Sequence, residues 1–130
     1  DANKSFLKII FFNLTITFTV YIFANLYIYQ IVGYFSQNYV LDIVPILRIL
    51  LILFVLNITT EQLLAHYLVP NNLYFFINNN KIFRFILFIF LIFPLILNYG
   101  TIGAAYSILI SESIGLLLVI RKFYLTKNIQ

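Results

Sequence analysis

Cysteine is absent from the 130 residues, so disulfides and thiolate metal sites are excluded and the redox compartment is left unread. Charge is scarce: 9% of residues are Asp, Glu, Lys or Arg, against roughly a quarter in a soluble domain. Methionine is missing altogether and the chain opens on Asp1. Natural reading frames rarely start this way, so the chain is expected to be a piece of a longer protein; signal-peptide cleavage is the competing explanation. The one histidine, His66, has no Cys, Asp or Glu close by in sequence and reads as an ordinary interfacial residue, not a metal ligand. No histidine–carboxylate cluster, phosphate-cradling glycine loop or nucleophile with a neighbouring base is found. The expectation is therefore no enzyme, no catalytic residue, no metal and no cofactor.

What is present is apolar. Hydrophobic residues make up 63% of the chain, and the mean hydropathy is +1.02. A chain of this size in water could not hide so much apolar surface, so the bilayer is its solvent. The net charge of +4 is modest, and basic residues beside apolar spans fix topology more often than they bind nucleic acid. The expected fold is all-α: a polytopic membrane protein with four transmembrane helices, part of a larger helical bundle.

A helix needs about 20 apolar residues to cross the hydrocarbon. The spans are expected at about 6–29, 43–64, 82–97 and 102–120. In the first, Thr15 and Thr19, like Asn13 and Thr17, are four apart and share faces, their hydroxyls expected to bond back to the helix or to a neighbour. Tyr27, Tyr29, Tyr34 and Tyr39 read as an interfacial belt at its end. A short polar connection, Gly33 to Asp42, leads to the second span, with Pro45 expected in its first turn. That span is polar on two faces, Arg48 with Thr59 and Gln62 on one, Asn57 and Glu61 on the other, so it should lie between helices or line a wet cavity. Ala65 to Asn80 reads as a breaker-rich loop. The third span has no charged or amide side chain between Arg84 and Asn98 and is expected to face lipid. Seven of the eight basic residues (Lys4, Lys8, Lys81, Arg84, Arg121, Lys122 and Lys127) fall on one side of this arrangement, which the positive-inside rule makes cytoplasmic, with both termini there.

Two features of the spans carry the candidate site. Gly103, Ser107, Ser111 and Gly115 recur at every fourth position, a stripe along which another helix can approach closely. Arg48, expected about 8 Å below the outer face at 1.5 Å per residue, and Glu112, near the midplane, are charges that cost at least about 2.5–3.5 kcal/mol each to insert. They either bind substrate (an anion at Arg48; a cation, proton or sugar hydroxyl at Glu112) or pair with each other or with other helices. Glu61 is expected near the cytoplasmic edge, within reach of water.

Leu41–Leu50 (LDIVPILRIL), then Tyr99-Gly100-Thr101-Ile102-Gly103-Ala104-Ala105 leading to Ile110-Ser111-Glu112, resembles the end of a polysaccharide or O-antigen flippase of the multidrug/oligosaccharidyl-lipid/polysaccharide exporter superfamily. The resemblance covers most of the chain from about Gly33 onward and implies a C-terminal third with both ends cytoplasmic. It further implies translocation of an undecaprenyl-diphosphate-linked oligosaccharide across a bacterial inner membrane by alternating access, with Arg48 as a cavity cation and Glu112 in ion coupling. Polysaccharide polymerase or glycosyltransferases would be neighbouring partners. A multidrug exporter of the same superfamily, and a complete small four-helix membrane protein serving as an oligomeric transporter or accessory subunit, are the alternative expectations.

Overall fold

The computed structural model describes residues 2–127, with side chains at 5 and 7–126. The side chains of Lys4 and Lys127, counted in the topology above, lie outside those described. Five α-helices follow one another: α1 Ala2–Leu26, α2 Ile28–Phe35, α3 Val40–Leu63, α4 Tyr74–Tyr99 and α5 Thr101–Lys127. No strand occurs among the described residues. Four helical stretches are long and apolar enough to cross a membrane: Leu7–Leu26, Gln37–Leu68, Tyr74–Tyr99 and Thr101–Thr126. The protein is an all-α, multi-pass membrane protein.

The helices are longer than their most apolar stretches. α4 has 26 residues, about 39 Å at 1.5 Å per residue, against about 30 Å of hydrocarbon. Asn78, Asn79 and Asn80, expected in a loop, instead lie inside α4. Helix formation satisfies their backbone groups internally, which outweighs the turn preference of asparagine near a membrane. The loop between α3 and α4 shrinks accordingly. α3 runs on through a π turn, Leu64–Leu68, in which Val69 donates to the Leu64 carbonyl at 2.9 Å. Pro70 cannot extend the helix, and Asn72 takes the left-handed backbone that reverses the chain (φ 57). At the other end, α3 starts at Val40, so Pro45 stands in its second turn, where the Leu41 carbonyl loses its usual helical donor.

The long helices pack as a row in the order α1, α3, α5, α4, with α2 lying against the start of α3. α5 is thus the inner helix between α3 and α4, and α1 reaches the row through α3. Two small apolar cores sit at opposite ends of α3. Ile28, Val32 and Val44 bury against one another where α2 meets α3. Leu64, Leu68, Ile77 and Val119 do so where α3, α4 and α5 converge. Elsewhere the row turns apolar side chains outward, including Phe85, Phe90, Phe93 and Leu97 of α4. A surface of that kind suits lipid or further helices.

α4 and α5 form an antiparallel hairpin that depends on glycine twice. Gly100 turns the chain at φ 65, ψ −143, a region open essentially to glycine alone. Gly103 lets α5 lie on the α4 backbone, because a Cβ there would collide with the Leu95 carbonyl. Gly33 on α2 has open space around it. Unfolding in mixed micelles should therefore separate three alanine variants. Gly100→Ala should cost about 1–3 kcal/mol from backbone strain. Gly103→Ala should cost a similar amount from overpacking. Gly33→Ala should gain roughly 0.5–1 kcal/mol of helix propensity.

Candidate functional site

Many serine and threonine hydroxyls in the helices are satisfied locally. Thr15, Thr17 and Thr19 donate to carbonyls four residues back at 2.8 Å, and Ser107 and Ser111 to carbonyls three residues back at 2.7 and 2.9 Å. These side chains therefore need no partner on another helix. Polar bonds cross between helices from α1 to α3, where Asn13 Nδ2 donates to Gln62 Oε1 at 3.1 Å, and from α4 to α5.

The α4–α5 contact holds the most charge. Arg84 Nη1 donates to Glu112 Oε2 in an ion pair whose side chains are only 11% and 21% exposed. Arg84 stands fifteen residues before Tyr99, about 22 Å along α4, and Glu112 eleven residues after Thr101, about 16 Å along α5. Glu112 is therefore near the middle of the spanning part of the hairpin, and Arg84 lies nearer its boundary at the start of α4. Because α4 begins at Tyr74 and not at Ile82, Arg84 stands ten residues inside the helix and not at the edge of a loop.

One turn away, the same pair of helices is joined by Asn80, whose Nδ2 donates to the Gly115 carbonyl at 3.1 Å. Gly115 is small because it must be: a Cβ there would run into the Arg84 stem, which crosses α5 at that point. Two buried groups stay unpaired beside it, Asn80 Oδ1, an acceptor, and Arg84 Nε, a donor. Gly103, Ser107, Ser111 and Gly115 are all buried, so the small-residue stripe lies within the packed row. At its two ends Gly103 meets the α4 backbone and Gly115 the Arg84 side chain.

Arg48 is elsewhere. It is exposed, and its guanidinium lies 5.5 Å from the ring centre of Tyr29 on α2. α3 and α5 run parallel, with Leu64 and Leu68 against Val119 and the Tyr67 ring 4.4 Å from that of Phe123. Counting back in this register brings Arg48 about level with Gly103, close to the Tyr99–Thr101 reversal, and so nearer the polar boundary than 8 Å of depth would put it. The same register brings Asn57 about level with Glu112. The structure thus joins Glu112 to Arg84, not to Arg48. Asn57 and Glu61 are exposed on α3, and His66 is exposed on the π turn. Among the described residues no three His, Cys, Asp or Glu side chains converge as a metal site.

Because neighbouring long helices alternate in direction through the chain, Lys8, Lys81, Arg121 and Lys122 belong to the same end of the row, with Lys122 Nζ 5.8 Å from the Phe76 ring centre. No protein-family model matches the chain, and no curated protein or solved structure matches it.

The pair has an asymmetric cost. A lone buried carboxylate can shed its charge by taking a proton, whereas a guanidinium cannot lose one. Glu112→Gln should therefore destabilise the hairpin more than Arg84→Gln, by up to about 3–5 kcal/mol. In a double-mutant cycle read by micellar unfolding, combining the two should recover part of the loss, with a coupling of about 0.5–3 kcal/mol. Strict additivity would mean that the two side chains are not paired.

Proposed function

We propose that this chain forms part of a bacterial inner-membrane flippase carrying an undecaprenyl-diphosphate-linked oligosaccharide between leaflets by alternating access. The observation that carries the reading is Arg48, exposed on a spanning helix with no carboxylate partner among the described residues. An ionisable residue in a spanning helix is a functional-site candidate, whereas Arg84 and Glu112 satisfy each other and hold the hairpin. The resemblance at Leu41–Leu50, Tyr99–Ala105 and Ile110–Glu112 supplies the substrate class.

The geometry is compatible with a rocking transporter. α4 and α5 move as one hairpin if the Arg84–Glu112 pair and the Gly103 contact hold them together. The outward apolar faces of α1 and α4 leave room for the remaining helices of a larger bundle. Arg48, with no carboxylate partner among the described residues, offers its planar fork to a diphosphate near one membrane face. Basic residues gathered at the opposite end support a cytoplasmic location for both ends of this segment. In this reading the protein is not an enzyme, and polysaccharide polymerase and glycosyltransferases are its functional neighbours.

Surface display of the polysaccharide, measured at matched amounts of full-length protein in the membrane, tests this. Arg48→Ala should lower export about tenfold or more, the cost of a charge-assisted contact, and Arg48→Lys should retain more of it. Wild-type export from both variants would remove Arg48 from the mechanism. Normal export after deletion of the gene would overturn the flippase reading itself.

A further inference from the structure

A groove of about 270 Å³ runs along the seam of α4 and α5. It is amphipathic along its length. Lys81, Arg84, Ser111 and Glu112 line one end, and Phe85, Phe88 and Ile108 line the rest. Because the helices are antiparallel, the polar end lies toward the start of α4 and the phenyl rings lie deeper. Arg84 and Glu112 neutralise each other, so Lys81 gives the polar end one net positive charge. Lys81 is exposed and has no carboxylate partner among the described residues.

Depth decides what fits. Lys81 stands eighteen residues before Tyr99, about 27 Å along α4, so with the Tyr99–Thr101 reversal at one face of a ~30 Å hydrocarbon layer, Lys81 reaches the opposite face. That is the level of headgroup phosphates. Phe85 and Phe88, about 21 and 16 Å from Tyr99, lie at the level of acyl chains. Cationic atom, depth and apolar trough therefore line up in the order of a phospholipid: phosphate at the boundary, chain running inward beside it.

We propose that this groove binds an anionic phospholipid of the leaflet at the N-terminal end of α4, its phosphate on Lys81 and an acyl chain along Phe85, Phe88 and Ile108. The Arg84–Glu112 pair, neutral overall, forms the inner wall of the headgroup end and leaves Lys81 as its one uncompensated charge. Basic pockets between helices at a membrane face recognise anionic lipids on these terms. The proposal is independent of the flippase reading and would hold for any function of this chain.

Spin-labelled phosphatidylglycerol and phosphatidylcholine, reconstituted separately with the full-length protein, report the preference as the motionally restricted fraction. The wild type should restrict phosphatidylglycerol more. Lys81→Gln should cut that preference about fivefold, as expected for one basic residue at the surface. Lys122→Gln, which removes a charge at the same end of the row but outside the groove, should leave it nearly intact. Phe88→Ala should weaken restriction of both lipids. Three results would overturn the proposal: no preference in the wild type, a preference indifferent to Lys81→Gln, or equal losses from Lys81→Gln and Lys122→Gln. Displacement of the labelled lipid by inorganic phosphate alone would show a free-anion site and overturn it as well.

Discussion

The ion pair between Arg84 and Glu112 sets the terms on which the rest of this structure can form. Neither charge is tolerable alone in hydrocarbon, so α4 and α5 must meet along a seam that brings residues 84 and 112 together. A long arginine stem can lie between two packed helices only where one of them lacks a side chain, and Gly115 is that place. Asn80, one turn before Arg84, then bonds to the Gly115 carbonyl and fixes the register. Farther along the same seam, Gly103 rests on the Leu95 carbonyl and Gly100 makes the reversal. Charge, stem, amide and glycines form one device that spans nearly the whole hairpin.

Outside that device the structure is economical. The apolar cores are small and sit at the two ends of α3, and most large side chains face outward. In water such a chain would collapse or aggregate. In lipid, apolar burial does not drive helices together, so close packing and a few specific polar contacts hold the row. The hydroxyls bonded back to their own helices fit the same solvent, since each is satisfied before any partner helix arrives.

The class of fold was legible from hydropathy alone, because long apolar runs with few charges leave membrane helices as the only way to satisfy the backbone. Glu112 was legible too, as a carboxylate inside such a run, and the glycine–serine stripe stood out by its spacing. The partner of Glu112 was not. Arg84 lies close to Asn78-Asn79-Asn80-Lys81, a run that reads as a loop in one dimension, and its position inside a helix follows only when α4 begins at Tyr74. Arg48, conspicuous within the apolar second span, comes to lie beside Tyr29 and level with the α4–α5 reversal, a depth set by how α3 packs on α5. Periodicity reports which residues share a face; it does not report how far one helix slides along another.

The central claim is that Arg84 and Glu112 are bonded to each other inside the membrane. Nitrogen–carbon dipolar recoupling by solid-state NMR, on protein in lipid bilayers labelled at the arginine guanidinium and the glutamate carboxyl, measures that contact directly. Glu61→Gln and Arg48→Lys would simplify the spectrum. The account predicts a strong transfer between the Arg84 guanidinium nitrogens and the Glu112 carboxyl carbon, at the separation of a direct ion pair. Transfer no greater than that between unpaired side chains would contradict it, and with it the seam on which the hairpin is built.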